Sequence, residues 1–463
     1  MRVTLIAPLL LLLAAAAPPA ERARHALDRL AFGPAPGEMA AVKREGFENY
    51  LQAQLRDGPE PPALAAKLAA IEAVNLTPDQ LFDRYGRPET QQQKQAANQV
   101  LAGAQEARLL RAMGSPHQLR EVMVDFWFNH FNVFSGKGPI KLWAGAYEAQ
   151  AIRPFALGRF RDLLGATAHH PAMLFYLDQW QSAGQRGKNS GLNENYAREL
   201  MELHTLGVDG GYAQQDVIEL ARILTGWGFN DRPAVTRGGY TFHFEPKRHD
   251  QGTKTLLGQT FKPGRDDEGE RALDLLAAHP ATARHLARKL AVYFVADDPP
   301  PALVDGVAAA FQSSQGDVRK TLDALFHRPE FWDARYRNAK FKTPYRFAVS
   351  AARAVGPEGM PTNRLVNQLR QFGQPIYGCP TPDGYKDTQG AWLSPEAMTR
   401  RAGFAVAIGT GRLGAPGATP VDPGLLARTL GHPFGPTSRE AIATAPPRLR
   451  PALMLGSPEF NRR

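Results

Sequence analysis

The stretch QLREVMVDFWFNHFNVF, Gln118 to Phe134, decides how this chain folds. Stepping 100° per residue from Leu119 spreads Val122, Met123, Phe126, Trp127, Phe128, Phe131 and Val133 around most of the circumference, so the segment predicts a helix buried nearly all round. Its polar residues are not spread. Glu121, Asp125, Asn129 and Asn132 fall on one narrow stripe, and buried carboxylates and amides must find partners or shift their pKa. The stripe is therefore either an interhelical hydrogen-bond network or one wall of a polar cleft. His130 lies in the apolar arc beside Phe126 and Met123, where an imidazole is either a satisfied core residue or a binding group.

A second motif follows at Asn193 to Trp227, NENYARELMELHTLGVDGGYAQQDVIELARILTGW. Glu194, Arg198 and Glu202 stand four apart and predict a ladder of opposite charges on one helix face. Glu199 sits at the polar/apolar border near Asn195, Tyr196 and Leu203, where a carboxylate is partly desolvated and a raised pKa or a metal contact is reasonable. His204 points to the core side and shares no face with Glu199 or Glu202, so no Glu-x-x-His metal helix is present. Gly207 ends the helix, and a tight return leads into a second helix from Gln214. Asp216, in its first turn, is either an N-terminal cap or a catalytic group. The short return places Glu199, Glu202 and Asp216 in one neighbourhood.

Glu199 and Glu202 alone do not make an inverting glycosidase pair. Neighbours three apart on a helix have Cβ atoms about 5–6 Å apart, whereas that chemistry needs carboxyl groups about 6.5–9.5 Å apart on either side of the bond. The second carboxylate must come from another element, and Asp178 or Asp250 are the expected candidates. His249-Asp250 can act as an acid/base pair, hold a divalent metal, or simply form a turn.

The remaining pattern predicts a mainly α protein: one large multi-helix domain over 21–463, a small β-hairpin insertion at about 232–261, and long capping loops. Helices are expected at 118–134, 153–167, 193–206, 214–227, 269–295, 301–313, 317–327 and 341–355. Within the helical region before Gln118, residues 86–99 read as a mobile connection. Alternation of Tyr240, Phe242 and Phe244 with polar residues marks the hairpin. Residues 356–392, rich in Gly, Pro and Asp around Cys379, read as a long functional or capping loop.

Composition narrows the class. The 463 residues are 43% hydrophobic, enough for a large core, and the single cysteine excludes a disulfide scaffold. The formal charge of +10 comes from 55 Lys and Arg against 45 Asp and Glu. The cations are mostly Arg scattered among acids along helices, so nucleic acid is not an expected partner. Arg2 precedes an apolar run from Leu5 to Ala17, too short to span a bilayer that needs about 20 residues. Residues 1–20 therefore predict a signal peptide, and the mature chain is expected to be periplasmic or secreted with no transmembrane anchor.

Together with FWFNHFNV from Phe126, AMLFYLD from Ala172, His249-Asp250, Arg288-Lys289-Leu290 and Lys342-Thr343-Pro344, the 193–227 motif resembles the bacterial domain-of-unknown-function family 1800 over about Arg24 to Phe404. The resemblance implies a predominantly helical, commonly exported protein and carries no activity. It also implies a neighbour, an exported protein of domain-of-unknown-function family 1501, which is similar to sulfatases and alkaline phosphatases. At 373–393 the chain departs from the family pattern of paired prolines and a Gly-Trp: Gly378-Cys379-Pro380 and Gly384-Tyr385 stand there instead.

Two classes of function follow. One is a hydrolase or lyase acting on an envelope or extracellular polymer, with Glu199, Glu202, Asp178, Asp250 and His249 as catalytic candidates and His130, Asn129, Asp125, Asn195, Arg198 and Asp216 as binding candidates. The other is a non-catalytic accessory or binding protein working beside the sulfatase-like partner. The cofactor is unknown; a divalent metal is compatible with the acids but not indicated.

Overall fold

Helix follows helix because apolar residues recur at three- and four-residue spacing and a proline or a capping side chain starts most elements. The computed structural model describes residues 18–184, 191–229, 241–262, 267–356, 360–431 and 433–463. One apolar cluster runs through the chain from Ala23 to Phe460. At its centre lies the helix Gln118–His130, with Val122, Met123, Phe126 and Trp127 all buried. The apolar run Leu5 to Ala17 lies outside the described residues. Among those residues, no helix is long and apolar enough to cross a membrane.

Several local expectations are corrected. The connection expected at 86–99 is largely the start of the longest helix among the described residues, Gln91–Gly114. Thr90 and Gln93 form a reciprocal capping box there, satisfying backbone N–H groups that would otherwise fray the first turn. The single helix expected at 269–295 is two, Glu268–Ala278 and Pro280–Phe294, because Pro280 cannot continue the first. Within 356–392 a helix, Thr362–Gln371, buries Leu365, Val366 and Leu369, and the loop proper begins after it.

Two helices change register. Ile140–Tyr147 runs into a π-helical turn at Glu148–Ile152, and Glu194–Glu199 into another at Leu200–His204. Such a turn bonds i to i+5 and inserts an extra residue, so side chains beyond it leave the 100° progression. That is why the expected ladder stops short: Arg198 reaches Glu194 at 3.7 Å and Gln214 at 2.8 Å, but forms no ion pair with Glu202.

The hairpin region holds two small antiparallel ladders, Trp227–Phe229 with Phe242–Phe244 and Lys254–Leu256 with Gln259–Phe261. Residues 230–240 lie outside the described set. Near the end of the chain, Asn461 and Arg463 run beside Lys340 and Lys342: the Lys342 N–H donates to the Asn461 carbonyl at 2.9 Å and that of Arg463 to the Lys340 carbonyl at 2.9 Å.

Candidate functional site

The polar stripe of Gln118–His130 divides into two halves. At its N-terminal half, Asp125 takes Arg108 at 2.6 Å and Glu121 takes Arg153 at 2.6 Å. Glu148, in the first π turn, joins them through Arg108 and Arg153, both at 3.0 Å. Arg120 adds Glu60, and Arg111 lies close enough to feel Glu121 and Glu148. Four arginines thus face four acids. Burial pushes the Glu148 carboxyl up, but Arg108, Arg153 and Arg111 outweigh it and hold the group below the usual range.

The C-terminal half grips the loop that follows the Thr362–Gln371 helix. Asn129 exchanges two hydrogen bonds with the Tyr385 backbone, at 2.8 and 2.7 Å, and Asn132 donates to the carbonyls of Cys379 and Thr381 at 3.0 and 2.8 Å. Gln105 and Tyr176 hold the Ile376 and Pro380 carbonyls from other sides. A recess, partly open to solvent, remains between the loop and the stripe, lined in part by Arg108, Asp125, Tyr293 and Tyr385. Gly384 makes this docking possible. Its φ is +71°, and a Cβ there would stand 2.3 Å from the Asn129 carbonyl oxygen. Gly384→Ala is therefore expected to lift the loop from the stripe, costing about 2–4 kcal/mol in denaturant unfolding through strain and lost hydrogen bonds.

Beyond the loop lies a second group of ionisable residues. Glu199 is half-buried at the junction of the helix and the second π turn. Burial, then Glu202 and Asp383, push its carboxyl up. Asp383 behaves oppositely: burial raises it, but hydrogen bonds from Lys386, at 2.6 Å, and from Thr381 hold it below the usual range. Burial, then Glu202, also raises the Tyr212 phenol.

Lys289, on the Pro280–Phe294 helix, faces this group. Among the described residues it makes no hydrogen bond or ion pair, and burial pulls its pKa down to about 8 against the opposing charge of Asp383. Behind it stand three imidazoles kept neutral by burial: His285, down to about 4, His204, down to about 3, and His130. The His130 Nε2–H donates to the His204 carbonyl at 3.1 Å while its Nδ1 has no partner among the described residues. Among the described residues, no three His, Cys, Asp or Glu side chains are arranged to hold a metal ion.

The other candidates lie apart. Asp178 stands at φ +58° with its half-exposed carboxylate on Lys137 at 2.8 Å, and it is not among the charges acting on Glu199. His249 and Asp250 belong to a closed network of their own. Arg222 binds Asp250 at 2.9 Å and Glu219 at 3.0 Å, while buried Lys254 binds Glu268 at 2.8 Å, with His249 3.4 Å from the same carboxylate. Asp216 accepts from the N–H of Ala213 and of Leu257, both at 2.8 Å, capping its helix and tethering the second ladder. Asn195 is exposed, and its backbone N–H is capped by Asn193.

The sequence expectation put Glu199, Glu202 and Asp216 in one neighbourhood; Glu202 acts on Glu199, Asp216 is not among the charges that do, and Asp383 and Lys289 were not among the candidates. Asp383 lay in the flagged loop. Lys289 carried a signal that could have found it, a cation four residues after His285 and beside the buried Leu286, Leu290 and Tyr293, at the edge of an apolar face.

A family model described as Protein of unknown function (DUF1800) matches residues 25–462. No curated protein and no solved structure matches the chain.

Proposed function

The chain belongs to the DUF1800 family, whose description names no activity, and from its own site we propose a hydrolase acting outside the cytoplasm on an envelope or extracellular polymer. Glu199 is the proton donor to the leaving oxygen, and Asp383 is the ionised partner that activates water or steadies the developing positive charge. Lys289 supplies a cation that is easily discharged. One observation carries the reading: two neighbouring carboxyls on different elements are pushed in opposite directions, Glu199 up and Asp383 down, beside a lysine that has no ion pair among the described residues. Environments that separate the pKa values of two carboxyls suit one to give a proton and the other to stay charged. The pair also meets the requirement that the second carboxylate come from another element.

An accessory role beside an exported sulfatase-like protein of family 1501 is the second reading, favoured by the closure of the Glu121–Asp125–Glu148 network. Incubation of the purified protein with a panel of envelope and extracellular polymers separates the two. Wild type is expected to release new chain ends, and Asp383→Asn to do so at least about 100-fold more slowly. Its unfolding midpoint should fall by no more than about 2 °C, because the Lys386 pair is partly exposed. Unsaturated ends would instead identify a lyase. No product from any polymer, or normal turnover by Asp383→Asn, would overturn the assignment.

A further inference from the structure

The charge balance of the Arg108 network fails a short distance away. Arg29, Arg346 and Arg463 come from the first helix, from Pro344–Val355 and from the end of the chain, and their exposures are 0%, 2% and 1%. The guanidinium carbons of Arg346 and Arg463 lie 5.5 and 5.0 Å from the centre of the Tyr293 ring. Each arginine donates to backbone carbonyls: Arg29 to Tyr336 at 2.5 Å, Arg346 to Asp28 and Ala31 at 3.0 and 2.8 Å, and Arg463 to Tyr293 at 2.9 Å. Five nitrogens still have no acceptor among the described residues: Nε and Nη1 of Arg29, Nη2 of Arg346, and Nε and Nη1 of Arg463. Beside them, Asp387 Oδ1 has no donor among the described residues, while Oδ2 lies 3.4 Å from Arg463.

The surrounding acids are already engaged. Asp28 faces Arg24 at 3.3 Å, and Lys340 takes Asp297 at 2.5 Å and Asp387 at 3.3 Å. With buried Lys342, the cations around Asp28, Asp297 and Asp387 outnumber these acids, and Asp125, which also acts on Arg463, is already taken by Arg108. Burial and mutual repulsion lower Lys342 to about 7 and Arg463 to about 10. Enclosed charge without a counter-charge is strongly disfavoured. Water could satisfy the nitrogens but would bring no charge. An anion would do both.

We infer that Arg29, Arg346 and Arg463 form a buried receptor for one phosphate group, either the free ion or a phosphate monoester. Guanidinium forks match tetrahedral oxyanions in paired hydrogen bonds. Asp387 adds selectivity, because its free oxygen needs a donor: hydrogen phosphate carries an O–H and sulfate at neutral pH does not. Tyr293, whose ring lies against Arg346 and Arg463, and Asp387 also line the recess under the loop.

The full chain, prepared without phosphate, tests this in two ways. Phosphorus released on acid denaturation should reach about one mole per mole if the ion is resident. After exchange, inorganic phosphate should raise the unfolding midpoint saturably, by at least about 2 °C, where sulfate at equal ionic strength does not. Arg463→Gln should abolish the rise. Should that variant fail to fold, Arg29→Lys, which keeps the charge but loses the fork, should weaken the response at least 10-fold in phosphate concentration. Asp387→Asn should let sulfate act as phosphate does. Glycerol phosphate distinguishes the sources: a matching rise identifies a monoester receptor, and no rise a free-ion site. Absence of both phosphorus and a phosphate response in wild type, an equal rise with sulfate, or an unchanged response in both arginine variants would overturn the inference.

Discussion

Glu148→Gln is expected to lower the free energy of unfolding by about 3–5 kcal/mol, the cost of stripping one partner from a buried ion pair. Its two carboxylate oxygens take three donors, with Arg108 at 3.0 Å and Tyr377 at 2.9 Å on one and Arg153 at 3.0 Å on the other. A carboxamide turns one acceptor into a donor and leaves two enclosed arginines short of an anion. Acid should produce the same loss in wild type. Because the folded protein holds the Glu148 carboxyl below its ordinary 4.5, its contribution is complete above that value and disappears as pH falls through the folded one. Urea unfolding at pH 7 and near pH 4 measures both effects, and the gap between wild type and variant should narrow in acid. A loss under about 1 kcal/mol at pH 7, with the slope against urea unchanged, would show that the arginines find other anions.

How much of this was legible differs from residue to residue. Glu121, Asp125 and Asn129 were placed on one stripe from the sequence because Gln118–His130 is a regular helix, whereas Asn132, expected on the same helix, lies just past its end; both readings of the stripe find a place in it. Its first half is paired with arginines and its second holds a loop. Glu148 was invisible because its position depends on a π turn, and backbone register is not written in apolar spacing. The same limit displaced Glu202 from its ladder. Asp383 was beyond reach for another reason. It meets Glu199 only because Asn129 and Asn132 pin a loop nearly two hundred residues away, and such docking depends on a single glycine with φ of +71°. The Thr362–Gln371 helix was hidden by Asn363 and Asn367, which weaken helical propensity, although Leu365, Val366 and Leu369 kept the period.

The largest functional effect is expected from Glu199→Gln: polymer cleavage at least about 100-fold slower than wild type, with stability at pH 7 equal to or above wild type. The two outcomes have one cause. Burial, Glu202 and Asp383 all oppose the charged form of Glu199, so the folded protein holds a proton there to higher pH than the unfolded chain does. Stability must then fall as pH rises through the interval above the ordinary carboxylate value, because the folded state binds more protons than the unfolded state. Gln cannot ionise and escapes that penalty, so its advantage should appear only above about pH 4.5 and vanish in acid. A residue that merely held the second π turn in place would behave the other way, losing stability at every pH. Thermal unfolding from pH 4 to 8, beside the cleavage assay, reads both quantities on one preparation. A destabilised Glu199→Gln, or one that cleaves at the wild-type rate, would assign Glu199 to packing and remove it from the chemistry. A variant that gains stability while losing turnover would place it among the groups whose strain is kept for function.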